Sequence, residues 1–154
     1  MANYFFDTSA LVKRHVNETG SSWVKSLVRA KADHRVYIAR ITAVEVTSAI
    51  TRRQHAGDLS AAQAGAILGH FRRHLTQYYR IIELTPAPLC RGDAGSPQSP
   101  AQGLRCRTPA VVLEVHRLQP DAGLGPVTLV SVDRDLNTAA TTEGLAVEDP
   151  TMHP

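Results

Sequence analysis

The stretch Tyr4-Phe-Phe-Asp-Thr-Ser-Ala-Leu-Val12 decides the fold of this chain. Three consecutive aromatic residues predict a short buried strand, and this strand ends at an acid, Asp7. Thr8 and Ser9 then open an apolar pattern with helical spacing, which predicts a helix. A strand that leads directly into a helix is typical of the units from which layered α/β domains are built.

The alternation of strand and helix continues along the chain. Arg35-Val-Tyr-Ile-Ala39 predicts a second strand, and Thr42–His55 predicts a long helix. Ser60-Ala-Ala-Gln63 matches a capping box, which predicts the start of another helix. The other predicted elements are a helical run around Trp23, Leu27 and Val28, helices at Val111–Leu118 and Asp133–Thr142, and strands at Ile81–Leu84, Val127–Val130 and Leu145–Val147. This order predicts an α/β fold around a mostly parallel central sheet.

Composition limits the class of protein. With 154 residues, 43% of them hydrophobic and 20% charged, the chain can bury one core, and we interpret residues 1–150 as a single domain. The net charge of +3 permits a nucleic-acid partner without requiring one. No apolar run approaches the roughly 20 residues that span a bilayer. The N-terminus lacks the apolar stretch of a secretory signal, so we expect a cytoplasmic protein.

Residues 86–109 do not fit the α/β pattern. This segment contains five of the nine prolines, three of the ten glycines and both cysteines, with almost no apolar periodicity. A structureless loop of this length is improbable inside a compact domain. We therefore interpret it as an irregular insertion or an aberrant segment.

Three acids are predicted to meet at one edge of the sheet. Asp7 follows the first strand, Glu45 lies in the first turn of the helix after the second strand, and Asp133 follows the strand at Val127–Val130. Ligands of open α/β sheets gather outside the carboxyl ends of the strands, so these carboxylates would face one crevice. Clustered carboxylates repel each other unless a cation neutralises them, and oxygen ligands favour Mg²⁺ or Mn²⁺. Such a site can activate water against a phosphodiester.

Each candidate residue also has a purely structural interpretation. Asp7 and Asp133 could simply cap their helices, and Thr42-Ala-Val-Glu45 matches a second capping box. The arginines of the helical regions could contact phosphates or only solvate helix faces; they are Arg52, Arg53, Arg72 and Arg73. The residues alone leave these alternatives open.

Three sequence motifs, taken with their order and spacing, resemble those of one known family. The motifs are Phe6-Asp-Thr-Ser-Ala-Leu-Val-Lys13, Thr42-Ala-Val-Glu-Val-Thr-Ser-Ala49 and Val127-Thr-Leu-Val-Ser-Val-Asp-Arg-Asp-Leu-Asn-Thr-Ala-Ala140. They are similar to those of the PIN-domain ribonucleases, specifically the VapC-type toxins of type II toxin–antitoxin systems. The resemblance implies a three-layer α/β/α PIN-like fold.

The resemblance also implies an activity and partners. It implies a metal-dependent endoribonuclease in which Asp7, Glu45 and Asp133 are the catalytic acids and bind Mg²⁺ or Mn²⁺. Thr8 or Ser9 would supply a supporting hydroxyl. The implied partners are an RNA substrate, a cognate antitoxin protein and a second copy of the chain in a homodimer. The alternative function is a catalytically inactive PIN-fold module that still binds an antitoxin or RNA.

One acidic motif of that family is missing here. The family has a further Asp in an Asp-Ala-x-x-Leu-Ala pattern near residue 108, where this chain has Arg105-Cys-Arg-Thr-Pro-Ala110. A one-base shift of the reading frame across residues 103–110 permits a small residue followed by Tyr-Asp-Ala-Val-His-Leu. We hypothesise that residues near 88–109 are read out of frame and that the loss of this acid impairs the nuclease.

Overall fold

The computed structural model describes residues 2–29, 32–83 and 125–153. Within these ranges the chain alternates strands and helices in the order that the sequence predicts. The elements are β1 (Asn3–Phe6), α1 (Thr8–His15), α2 (Ser21–Leu27), β2 (Arg35–Ala39), α3 (Arg40–His55), α4 (Ala61–Gln77), β3 (Tyr79–Ile82), β4 (Val127–Val130), α5 (Arg134–Thr142), β5 (Ala146–Glu148) and a 3₁₀ helix (Pro150–Met152). The irregular segment 86–109 and the predicted helix at Val111–Leu118 lie outside the described residues. Of the helices in the described ranges, none is long and apolar enough to span a bilayer.

The five described strands form one parallel sheet in the order β3-β2-β1-β4-β5. The chain therefore adds β2 and β3 on one side of β1, and then adds β4 and β5 on the other side. The gap between the carboxyl ends of β1 and β4 is thus a topological switch point, where α/β sheets commonly bind their ligands.

Side chains of alternate strand residues enter two apolar layers, one on each face of the sheet. Phe6, Ile38 and Val130 face helices α1 to α4 and form the larger cluster. Phe5 and Leu129 face the opposite side, where Leu136 and Ala140 of α5 and Leu145, just before β5, cover them. Helices on both faces of a parallel sheet make the three-layer α/β/α architecture that the sequence predicts.

Several predicted boundaries agree with the structure, and two are corrected. The strand at 35–39, the strand at 127–130 and the capping box of Ser60 and Gln63 are confirmed. Helix α3 begins at Arg40 rather than at Thr42, because Ala39 passes directly from the strand into the helix and serves as the N-cap without a side-chain bond. Strand β3 begins at Tyr79, two residues before the predicted start, since α4 ends at Gln77.

Candidate functional site

Asp7 lies at the switch point, at the carboxyl end of β1 and the N-terminus of α1. One of its carboxylate oxygens, Oδ2, accepts hydrogen bonds from the backbone N–H of Ser9 (3.1 Å) and from the Ser9 hydroxyl (2.8 Å). The Ser131 hydroxyl donates to the same oxygen (3.3 Å). Asp7 is therefore the N-cap of α1, as the structural interpretation requires, but one of its contacts also reaches across to the segment that follows β4.

Ser131 connects Asp7 to Asp133. This serine follows β4, has no exposed surface, and accepts a hydrogen bond from the backbone N–H of Asp133 on its hydroxyl oxygen (3.0 Å). The Ser9 hydroxyl accepts a further bond from the backbone N–H of Val132 (3.1 Å). Asp133 in turn caps α5 through its Oδ1 atom. The two acids on either side of the switch point are thus held in one network made of the Ser9 and Ser131 hydroxyls and backbone N–H groups.

Glu45 reaches the same edge of the sheet from α3. Its Oε2 atom accepts a hydrogen bond from the hydroxyl of Thr8, the residue directly after Asp7. The capping-box interpretation of Glu45 is wrong, because Thr42 is a buried residue within α3 rather than its N-cap. The structure instead uses Glu45 to connect α3 with the first residue of α1. This contact favours a role at the sheet edge over a local capping role.

Each of the three acids uses a single carboxylate oxygen in the described hydrogen bonds. These oxygens are Oδ2 of Asp7, Oε2 of Glu45 and Oδ1 of Asp133. Carboxylate oxygens are the ligand type that Mg²⁺ and Mn²⁺ prefer, so the donor set fits such a cation chemically. Among the described residues, however, no three His, Cys, Asp or Glu side chains already form a group that could hold a metal ion. The assignment of the three acids as metal ligands stays a prediction.

The structure adds two residues that sequence reasoning missed as parts of the site. In the sequence, Ser131 directly follows an apolar stretch that predicts a strand. Its role is seen only from its hydrogen bonds to the Asp7 carboxylate and to the Asp133 backbone N–H. Asn137, one turn into α5, donates from Nδ2 to the backbone carbonyl of Ser131 (3.0 Å) and so fixes the position of that serine. The spacing Ser-x-Asp-x-x-x-Asn was the one signal available, since it places a hydroxyl and an amide around the acid that caps the helix.

A cluster of ionisable side chains lies at the other end of α1. The ring of His15 packs edge-on against Phe71 at 5.4 Å between ring centroids, and lies 5.6 Å from the ring of His74. Burial, and then the neighbouring Arg14, lowers the pKa of His15 to about 4; the same two causes, in the same order, lower the pKa of His74. Burial raises the pKa of Tyr79, which accepts a hydrogen bond from Arg14, to about 12. The contact between His15 of α1 and His74 of α4 therefore favours the neutral form of both imidazoles.

Comparison with known proteins supports the fold. No protein-family model matches the sequence, and a search of curated proteins found no match. Among solved structures, the chain is similar to PAE2754 from Pyrobaculum aerophilum, with 15% identity, a TM-score of 0.54, and coverage of 98% of this chain and 91% of that chain. It also matches VapBC2 from Rickettsia felis bound to a DNA fragment from their promoter, with 14% identity, a TM-score of 0.49, and coverage of 96% and 98%.

A third solved structure is a PilT N-terminus domain protein, SSO1118, from Sulfolobus solfataricus P2. The identity is 10% and the TM-score 0.43, with 97% of this chain and 88% of that chain covered. At 15% identity, the similarity to PAE2754 establishes the fold alone. The described architecture is a three-layer α/β/α PIN-like fold, and the fold prediction is confirmed.

Proposed function

We propose that this chain is a VapC-like endoribonuclease that hydrolyses RNA phosphodiester bonds with the help of Mg²⁺ or Mn²⁺. The observation that carries the proposal is the hydroxyl network that joins Asp7 to Asp133 across the switch point, with Glu45 connected to it through Thr8. Asp7 and Asp133 cap α1 and α5, but capping requires neither the bond from Ser131 to Asp7 nor the contact between Glu45 and Thr8.

In this proposal Asp7, Glu45 and Asp133 hold the cation through the carboxylate oxygens that the described hydrogen bonds leave available. The bound ion would lower the pKa of a water molecule and stabilise the charge that develops on the phosphate. Ser131 and Ser9 orient the Asp7 carboxylate, while backbone N–H groups of α5 orient that of Asp133. These supporting bonds fix the ligand orientation, and disturbing such partners typically costs about 10–100-fold in metal affinity or activity.

The second candidate is a PIN-fold module that has lost its chemistry but still binds a cognate antitoxin peptide or RNA. One observation favours it: the chain has Arg105-Cys-Arg-Thr-Pro-Ala110 where the resembling family has a further acid. Loss of a ligand weakens the neutralisation of the cation, because fewer carboxylates face it. The two candidates differ in one measurable property, which is whether RNA is cleaved.

The test is cleavage of labelled single-stranded RNA by the purified chain in Mg²⁺ and in Mn²⁺, with EDTA as the blank. We expect metal-dependent cleavage that Asp7→Asn abolishes. Asp58→Asn, an exposed acid in the turn after α3, is the matched control and should cleave like the wild type. Absence of cleavage by the wild type, together with antitoxin or RNA binding, would establish the inactive module instead. Cleavage that persists in Asp7→Asn would refute the assigned site.

A further inference from the structure

We infer that Arg40 and Arg134 bind the phosphates on either side of the RNA linkage to be cut; this inference rests on the proposed function. Arg40 is the first residue of α3, directly after β2, and Arg134 is the first residue of α5, directly after Asp133. Both arginines are exposed to solvent. Since β2 and β4 are the two neighbours of β1, the arginines flank Asp7 on opposite sides.

The spacing of this pair follows from the sheet. Neighbouring strands lie about 4.8 Å apart, so the ends of β2 and β4 are separated by about 10 Å, with Asp7 between them. Arg40, Asp7 and Arg134 follow three neighbouring strands and therefore lie in one row along the carboxyl edge of the sheet. A single row suits one sugar–phosphate backbone, so both arginines can contact the same RNA strand.

Arg40 has a partner that the substrate would displace. Ala39 and Ile82 are paired in the sheet, and the residues that follow them, Arg40 and Glu83, form an ion pair. Their side chains are 68% and 65% exposed, respectively. An exposed ion pair contributes little free energy, so a phosphate, which arginine can bind with two parallel hydrogen bonds, can replace Glu83.

The Arg52 and Arg53 pair near the C-terminal end of α3 is placed less well for this role. Arg53 forms an ion pair with Glu18, which follows the C-terminal end of α1. Arg52 is exposed near the last turn of α3, twelve residues and therefore about 18 Å along the helix from Arg40. Arg52 has the same residue type and lies on the same helix, which makes it the matched control.

The experiment measures binding of a fluorescein-labelled single-stranded RNA of about 12 nucleotides by fluorescence anisotropy, in EDTA so that no RNA is cut. We expect Arg40→Gln and Arg134→Gln each to weaken binding several-fold and to reduce the slope of log K against log salt by about 0.7. Arg52→Gln should change neither quantity. Glu83→Gln should tighten binding, because it frees Arg40; a merely structural role for the ion pair would not give this result.

The outcomes separate this inference from the proposed function. If Arg40→Gln and Arg134→Gln alter binding no more than Arg52→Gln does, or if the wild type fails to bind, the inference is wrong even where the wild type cleaves RNA. If the binding effects occur but the wild type cleaves nothing in Mg²⁺ or Mn²⁺, the phosphate contacts stand and the nuclease assignment falls. Circular dichroism of each variant checks that the fold is retained, so that a change in binding can be assigned to the contact itself.

Discussion

Ser131 is the residue on which the geometry of the site depends most directly. Its hydroxyl donates to the Asp7 carboxylate and accepts from the Asp133 backbone N–H, and the serine itself is fully buried. We expect Ser131→Ala to lower the free energy of unfolding by about 1–3 kcal/mol, because two hydrogen bonds of about 0.5–1.5 kcal/mol each are lost. RNA cleavage should fall about 10–100-fold, as is typical when a partner of a metal ligand is lost.

The control for this prediction is Ser26→Ala. The Ser26 hydroxyl donates to the carbonyl of Trp23, but this bond is exposed to solvent. Urea denaturation of Ser26→Ala should therefore stay within about 0.5 kcal/mol of the wild type. Equal stability and equal cleavage rates for the two serine variants would contradict the role assigned to Ser131.

His15 gives the chain a stability that depends on pH. In the unfolded chain its pKa is near 6.5, whereas in the fold it is about 4, so between these values the unfolded state binds more protons. Stability should therefore decrease as the pH falls from 6.5 to 4, by up to about 3 kcal/mol from this group. His74, whose pKa is also lowered, acts in the same direction.

Urea midpoints measured from pH 7 down to pH 4 check the role of His15. His15→Phe keeps an aromatic ring against Phe71 and removes the titrating group, so its profile should be flatter than that of the wild type. His55→Gln removes an exposed histidine at the end of α3 and should leave the profile unchanged. A wild-type midpoint that does not move between pH 6.5 and pH 4 would refute the prediction.

At the scale of the element, the C-terminal 3₁₀ helix (Pro150–Met152) is held against α2 by a close backbone approach. A Cβ atom at Gly20 would lie 2.1 Å from the carbonyl oxygen of Pro150, and Gly20 has φ +84°. Gly57 has nearly the same φ, +86°, but open space around it. Alanine at either position has the left-handed strain of about 1–2 kcal/mol, whereas only Gly20→Ala also displaces the 3₁₀ helix.

We therefore expect Gly20→Ala to destabilise the chain by about 1–3 kcal/mol more than Gly57→Ala does. The chain has a single tryptophan, Trp23, whose ring stacks on His153 at 4.2 Å between centroids. Displacement of the 3₁₀ helix should separate this stack and change tryptophan fluorescence in Gly20→Ala only. Matching losses of stability and matching fluorescence for the two glycine variants would show that the contact with Pro150 is unimportant.

The elements also show which parts of the fold the sequence could specify. The strand Arg35–Ala39 was predictable because its residues favour strands and a change of periodicity follows them. The start of α3 was not, because Ala39 carries no capping side chain and the apparent capping residue, Thr42, lies inside the helix. The predicted capping box was correct at Ser60, where the serine and Gln63 make both reciprocal bonds. The capping-box motif thus predicted a helix start correctly at Ser60, which is the N-cap of α4, and wrongly at Thr42, which lies inside α3.

For the whole molecule, the position of the candidate site depends on the order of the strands. The sequence could place Asp7 and Asp133 after strands, but not state that β1 and β4 are neighbours, because that pairing joins residues more than 120 positions apart. The hydrogen bond from the Ser131 hydroxyl to Asp7 can be predicted only when this pairing is known. The strand order therefore places the two helix caps, Asp7 and Asp133, on either side of the switch point.

The reading-frame hypothesis is the prediction that concerns the whole chain. We expect the nucleotide sequence across codons 85–112, read one base forward, to encode the Asp-Ala pair that the resembling family has. A gene restored to that frame would regain one acid, and its product should cleave RNA at least about 10–100-fold faster than the present chain. Asp7→Asn in the restored chain should abolish that gain, since both acids would act on the same cation. If no shifted frame encodes Asp-Ala there, the hypothesis is wrong and residues 86–109 are a genuine insertion.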